Sequence, residues 1–153
     1  MKRVEVKLSL PVVAPLLDVI RELSCDLEKN LAAPQALHDL DPEFRGAWIG
    51  ELLAGQNDDL RALLALFGGE FFSEGIVAFD ETNAEPIVRA CTAVRLHLRE
   101  RRLKSLSDES LETGDIDMDG LDEITRKAFM CYLFLATVQE LNIQHLDSSI
   151  IGS

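Results

Sequence analysis

The stretch AFMCYLFLATV, at positions 128–138, constrains the fold of this chain more than any other, because as a helix it has no polar face. A helix that is apolar on all sides is usually surrounded by other helices. We therefore expect the helix that begins near Leu121 to be the central helix of a bundle. The alternative is that one of its sides closes a homodimer, where a second copy covers the apolar surface.

Two short stretches alternate apolar and polar residues with a period of two, which predicts β-strands. The first runs from Arg3 to Leu8 and the second from Ile76 to Phe79. Each is followed by a polar start, a proline and a helical pattern. This short repeat suggests a two-stranded ribbon that joins two layers of helices.

Apolar residues at helical spacing predict a first helix from Val13 and a fourth helix that runs to about Leu103. The fourth helix follows a stretch of the capping-box form T-x-x-E, from Thr82 to Glu85, with Pro86 just inside the helix. The inward residues of the first helix are predicted to be Leu16, Ile20, Leu23, Leu27 and Leu31. Those of the fourth are predicted to be Ile87, Cys91, Val94 and Leu98.

The second helix is predicted to begin at the sequence DPEF. Asp41 can cap it, and Pro42 suits the first helical position because its missing N–H would be unpaired there anyway. Phe44, Trp48 and Leu52 form its apolar stripe, which we expect to face the core. The polar sequence GQNDD is predicted to break this helix, so that LRALLALF forms a short third helix.

These elements predict a mainly α single domain that covers residues 1–153. Its architecture is a five-helix bundle around the apolar C-terminal helix, with a minimal two-stranded β ribbon. A chain of 153 residues with 47% hydrophobic residues is long enough to bury one sizeable core.

The spacing of the cysteines and the lack of a membrane-span or signal-peptide pattern favour a cytoplasmic protein. Cys25, Cys91 and Cys131 lie far apart and form no CxxC motif, which is typical of reduced, buried thiols. No stretch has the apolar length of a membrane span, and acidic residues interrupt any signal-like region. The net charge of −12 argues against nucleic acid as a partner.

Charge is unevenly distributed along the chain. Residues 95–104 carry a net charge of +4, and residues 105–125 carry −8 with no basic residue. Arg95, Arg99 and Arg102 share one face of the fourth helix and are candidate residues for binding a phosphate or an acidic partner peptide. The alternative is that these cations serve the helix C-terminus and the acidic groups of the same chain.

The sequence DIDMDG, from Asp115 to Gly120, begins like the calcium loop of an EF-hand. The twelfth position of such a loop needs a glutamate, and this chain has Arg126 there. We therefore expect residues 105–119 to be a flexible, exposed acidic loop without a metal, whose end caps the last helix through Asp119, Asp122 and Glu123.

No catalytic motif is present. The histidines His38, His97 and His145 are scattered, and the sequence contains no phosphate loop, no G-x-S-x-G and no H-E-x-x-H. We therefore predict no catalytic residues and no cofactor. The leading function is a non-enzymatic interaction or regulatory protein, as a homodimer or with an unidentified protein partner. The alternative is a metal- or small-molecule-binding protein that uses the acidic loop.

Most of the chain resembles an uncharacterised bacterial family of short, mostly helical proteins. The resemblance rests on DPEFRGAWIGELL, on VAFDETNAEPIVRACTAVRLHLRERRL with its Arg95-Leu96 pair, and on LDEITRKAFMCYLFLATVQELNIQHL. The family is best represented in actinobacteria and is often encoded beside the Clp protease adaptor. The resemblance implies a role near regulated proteolysis, but no functional residues. The chain departs from the family in its cysteines and its long acidic loop.

Overall fold

A computed structural model of the chain describes residues 3–32 and 42–145. The predicted cap Asp41 and the histidine His38 lie outside these ranges. The elements in chain order are β1 (Arg3–Lys7), α1 (Leu10–Leu27), α2 (Pro42–Ala65), α3 (Gly69–Glu74), β2 (Ile76–Asp80), α4 (Ala84–Arg101), α5 (Asp108–Thr113), a 3₁₀ turn (Met118–Gly120) and α6 (Glu123–His145). The predicted fold class, mainly helical with a two-stranded ribbon, is confirmed.

The ribbon is antiparallel and covers one end of the helices. Val4 pairs with Phe79, and Val6 pairs with Val77. The β2 side chains Val77 and Phe79 are buried because they point into the helical core. The chain enters β2 through Gly75, whose φ of +74° suits glycine, and a Cβ there would lie 2.7 Å from the Leu8 carbonyl oxygen. This close approach explains why a glycine is required at position 75.

The most enclosed helix is α4. Its predicted inward residues are confirmed, because Ile87, Cys91, Val94 and Leu98 are all completely buried. Helix α4 contacts α1, α2 and α6. It therefore lies at the centre of the helical layer, with one long helix on each of three sides.

Helix α6 is covered on one side only. Phe129, Leu135 and Val138 are buried, whereas Met130 and Leu133 are 40% and 39% exposed. The expectation that α6 is enclosed on all sides is therefore wrong, because only one of its faces is buried. The opposite face is apolar and exposed in a single copy of the chain, because apolar composition alone does not determine how many neighbours a helix has.

Helix α2 is continuous, so the predicted break at GQNDD is wrong. The polar side chains of that sequence close the end of α1 instead of stopping their own helix. The Gln56 side-chain amide donates to the carbonyl oxygens of Leu27 (2.8 Å) and Asn30 (3.0 Å), and its oxygen accepts from the Ala32 amide (3.1 Å). These groups at the end of α1 would otherwise lack intrahelical partners.

The predicted capping box at the start of α4 does not form. Asn83 precedes the helix without a side-chain cap. Instead, Asp80 Oδ1 accepts hydrogen bonds from the backbone amides of Thr82 (2.8 Å) and Asn83 (3.0 Å) and from the Thr82 hydroxyl (2.6 Å). The last residue of β2 therefore organises the turn into α4.

Among the described helices, none combines the length and the apolar character that a membrane span requires.

Candidate functional site

The three arginines of the predicted stripe contact three different elements. The Arg95 guanidinium lies 4.4 Å from the centroid of the Tyr132 ring and donates to Gln139 Oε1 (2.8 Å), both on α6. Arg99 pairs with Asp108 of α5, and the Arg102 guanidinium lies 2.6 Å from Glu22 of α1.

Each arginine therefore connects α4 to a different element. The hydrogen bond to Asp108 is the main cause that raises the pKa of Arg99. Sequence spacing did not show that each of the three residues has a partner within the same chain.

Helix α6 contributes a second polar connection to α4 that the sequence did not reveal. Gln139 Nε2 donates to the Val88 carbonyl oxygen (3.0 Å) and to the Thr92 hydroxyl (2.7 Å). Together with Arg95, Gln139 thus bridges the two helices. The sequence signal for this connection was Gln139 itself, because a polar side chain that packs within an apolar helix needs hydrogen-bond partners there.

The acidic turn is held by its own chain. The Arg126 side chain donates to the carbonyl oxygens of Met118 and Leu121, each at 3.0 Å. The residue that replaces the calcium-binding glutamate therefore places a cation against the backbone oxygens of this loop. Within residues 3–32 and 42–145, no group of three or more His, Cys, Asp or Glu side chains is arranged to hold a metal ion.

The end of the turn caps α6, as the sequence predicted for Asp122. Asp122 Oδ1 accepts from the Thr125 amide at 2.7 Å. Hydrogen bonding by Thr125 lowers the pKa of the Asp122 carboxyl, because it favours the ionised form.

Part of the acidic segment is helical, which the sequence did not predict. Ser107 Oγ accepts from the Ser110 amide (3.1 Å) and caps α5. Leu103 and Leu111 are buried and anchor the two sides of this short helix. The flexibility of residues 105–119 stays a prediction.

Two of the three cysteines are buried, as predicted, and one is not. Burial raises the pKa of both Cys91 and Cys131 to about 12, so both thiols are protonated at neutral pH. Cys25 is exposed, because it continues the polar face of α1 that carries Asp18 and Glu22. The prediction of a core thiol is therefore wrong for Cys25.

The predicted stripe of α2 faces solvent, so the expectation that it faces the core is wrong. Phe44, Trp48 and Leu52 are 62%, 48% and 41% exposed. The buried residues of α2, such as Leu60 and Leu63, lie in its second half. The first half of the helix extends beyond the core, and its apolar face has no described partner within the chain.

A cavity of about 430 Å³ lies between α2 and α4 next to this stripe. Its lining includes the small residues Gly55, Ala90 and Ala93 and the leucines Leu31, Leu52 and Leu96.

An ion pair closes one end of this cavity. The Arg89 guanidinium donates twice to the Asp59 carboxylate, with both distances 3.0 Å, and the Asp59 side chain is only 14% exposed. Asp59 is also the main cause that raises the pKa of Arg89. This pair fixes the antiparallel packing of α2 on α4.

A second cavity of about 330 Å³ continues along α4 on the other side of Leu96. It is bordered by Leu103 of the α4–α5 connection and by Asp108 and Leu111 of α5. We call the two cavities together the α4 groove, which follows α4 from Arg89 to Glu100. At a rise of 1.5 Å per residue, this stretch of α4 is about 17 Å long.

Comparison with known proteins identifies the family but no characterised relative. A family model described as "Domain of unknown function (DUF2017)" matches residues 19–146. No curated protein and no solved structure matches the chain. Because the matched residues cover most of the sequence, this chain belongs to the DUF2017 family.

Proposed function

We propose that this protein is a non-enzymatic interaction module that takes a helical segment of a partner protein into the α4 groove, against the exposed stripe of α2. The observation that carries the proposal is the stripe itself: Phe44, Trp48 and Leu52 are exposed on one helix face that leads into an apolar groove.

The composition of the stripe supports a docking role. Aromatic side chains bury about 150–250 Å² each when they are covered, and tryptophan is enriched among the residues that dominate binding energy. Contiguous apolar patches on soluble proteins mark interaction sites more often than scattered single residues do. Ile49, which is 36% exposed, extends the patch beside Trp48.

The shape of the groove fits a helix. A depression about 17 Å long holds a helix of about 11 residues. The small residues Gly55, Ala90 and Ala93, which line it, allow the backbone of a bound helix to approach closely. Recognition of this kind uses apolar anchors at positions i, i+3, i+4 and i+7 of the bound segment.

The reactive groups of the chain support a non-enzymatic role. Cys91 and Cys131 are protonated and buried, and the three arginines of the stripe on α4 have partners on α6, α5 and α1. These groups contribute to packing between helices. The α4 groove is lined by leucine, alanine and glycine together with charged side chains.

The cellular setting is part of the proposal and rests on the resemblance of the sequence to bacterial proteins encoded beside the Clp protease adaptor. We place the module in the bacterial cytoplasm, with a partner that takes part in regulated proteolysis. The exposed face of α6 around Met130 and Leu133 is a second apolar surface, which a homodimer would cover.

Affinity capture from the native host tests the docking surface through matched variants. Leu52→Ser removes an apolar group of the proposed site, and Leu133→Ser removes one of similar exposure on α6. We expect a protein that is captured by the wild type and by Leu133→Ser, but not by Leu52→Ser. Equal capture by all three proteins contradicts the proposal, and circular dichroism checks that both variants are folded.

A further inference from the structure

We infer that the segment that docks in the α4 groove is a basic amphipathic helix, with its cationic end against the acidic segment of residues 105–125. This inference rests on the proposed function and specifies the chemistry of the partner. It starts from the position of α5, which lines the groove through Asp108 and Leu111 and so brings the acidic segment to one end of it.

The acidic segment is poorly neutralised by its own chain. Residues 105–125 carry eight carboxylates and no cation. Among the described residues, the ion pairs of this segment are limited to Arg99 with Asp108. Arg126, the nearest following cation, donates to backbone carbonyl oxygens instead. An excess of negative charge therefore remains beside the groove.

The walls of the groove add to this excess. Asp59 and Arg89 neutralise each other, as do Asp108 and Arg99. The remaining charged residues that line the groove are Glu51, Glu100 and Lys104. Two carboxylates and one ammonium group leave the groove itself with a net negative charge, of the same sign as the segment at its end.

This charge excludes a second copy of the chain as the favoured occupant. Each copy carries −12, so two copies repel one another at the face where the acidic segment lies. A cationic helix instead gains electrostatic attraction during its approach and in the complex.

Trp48 provides a direct measurement, because it is the only tryptophan in the chain and lies one helical turn from Leu52 on the same stripe. The probe is a synthetic peptide of about 15 residues, made only of leucine at helical spacing and lysine elsewhere. A matched peptide carries glutamate at every lysine position. Neither peptide fluoresces in the tryptophan range.

We expect the lysine peptide to shift the emission of Trp48 to shorter wavelength in a saturable titration, because the half-exposed ring becomes covered. The glutamate peptide should produce no shift at the same concentrations. Higher salt should weaken the binding of the lysine peptide, because exposed charges are screened over about 8 Å at physiological ionic strength. Leu52→Ser should weaken it too, and Leu133→Ser should not.

Neutralisation of the acidic segment tests the charge directly. The variant Glu109→Gln/Glu112→Gln/Asp115→Asn should bind the lysine peptide at least about threefold more weakly. The control variant Glu5→Gln/Glu70→Gln/Glu74→Gln, which removes the same number of charges in β1 and α3, should bind it as the wild type does.

The outcomes separate the two proposals. If both peptides shift Trp48 equally, or if the neutralised variant binds like the control, the groove docks helices but the inference of a basic partner is wrong. If neither peptide shifts Trp48, the docking site itself is wrong. If the emission of Trp48 shifts with protein concentration alone, a second copy is the occupant and the inference is overturned.

Discussion

Gln56 shows how one side chain can connect two helices that are distant in sequence. Its amide group makes three hydrogen bonds to the backbone at the end of α1, at 2.8, 3.0 and 3.1 Å. Asn57 adds a fourth contact by donating to the Glu28 carbonyl oxygen at 3.1 Å. The side chains of α2 therefore contribute to closing the end of α1.

The first prediction concerns this connection. Gln56→Ala should lower the free energy of unfolding by about 1–3 kcal/mol, because it leaves partly buried backbone groups without partners. Urea denaturation measures the change. Gln144→Ala is the control, since Gln144 makes one exposed hydrogen bond to Glu140 within α6 and its removal should cost less than about 0.5 kcal/mol. Equal losses in the two variants would contradict the role of Gln56.

The second prediction concerns Asp80. Hydrogen bonds, first that of the Thr82 side chain, lower the pKa of the Asp80 carboxyl below its ordinary value. A group whose pKa is lowered by folding stabilises the protein above its unfolded pKa and loses this contribution as the pH falls through its folded pKa. Asp80→Asn should therefore be less stable than the wild type near neutral pH.

The difference in the free energy of unfolding between the two proteins should shrink when the pH falls below the pKa of the Asp80 carboxyl in the unfolded chain. Urea denaturation at about pH 7 and about pH 3 measures it. A difference that is the same at both values would show that the Asp80 carboxylate does not contribute through its charge.

At the scale of the helix, periodicity identified apolar faces reliably but not what covers them. It predicted the inward residues of α4, and all four are buried. It also identified the stripe of Phe44, Trp48 and Leu52, but that stripe is exposed because the first half of α2 extends beyond the core. A repeat of apolar residues has the same pattern whether it faces its own chain or a partner.

The candidate site was only partly predictable for the same reason. Leu52 belonged to the predicted stripe, and Leu96 belonged to the Arg95-Leu96 pair. The small residues that line the groove, Gly55, Ala90 and Ala93, could not be identified as a site from the sequence, because small residues are common in helices. The break predicted at GQNDD failed because the partners of Gln56 lie more than twenty residues away.

The third prediction distinguishes the two faces of α6. Phe129 is 1% exposed and Met130 is 40% exposed. Phe129→Ala should lower the free energy of unfolding by about 3–5 kcal/mol, because it removes a buried ring and leaves a cavity. Met130→Ala should cost less than about 1 kcal/mol, because its side chain is partly hydrated already. Similar losses in urea denaturation would show that both faces are covered in solution, as in a homodimer.

The fourth prediction concerns the acidic turn. We expect no binding heat and no change in Tm with millimolar calcium, because Arg126 places a cation against the loop carbonyls of Met118 and Leu121. Isothermal calorimetry tests this, with Asp117→Asn/Asp119→Asn as the control. A saturable heat that disappears in the control would support the alternative function, a metal-binding protein.

At the scale of the whole molecule, charge and apolar surface are arranged asymmetrically. Leu52 of the α2 stripe and Asp108 of the acidic segment line the α4 groove. The three arginines of the predicted stripe have partners within the chain instead. The surface that remains for a partner is therefore apolar at its centre and acidic at one end. This arrangement suits a module that binds other proteins.

Photo-crosslinking in the native host tests this account most directly. Leu96 joins the two cavities of the groove and is 37% exposed, so it tolerates replacement by a photoreactive phenylalanine derivative. The same replacement at Leu133 serves as the control on α6. We predict a discrete crosslinked adduct with another protein from position 96, absent from position 133 and lost when Leu52→Ser is added. No adduct from position 96, or the same adduct from both positions, would contradict the account.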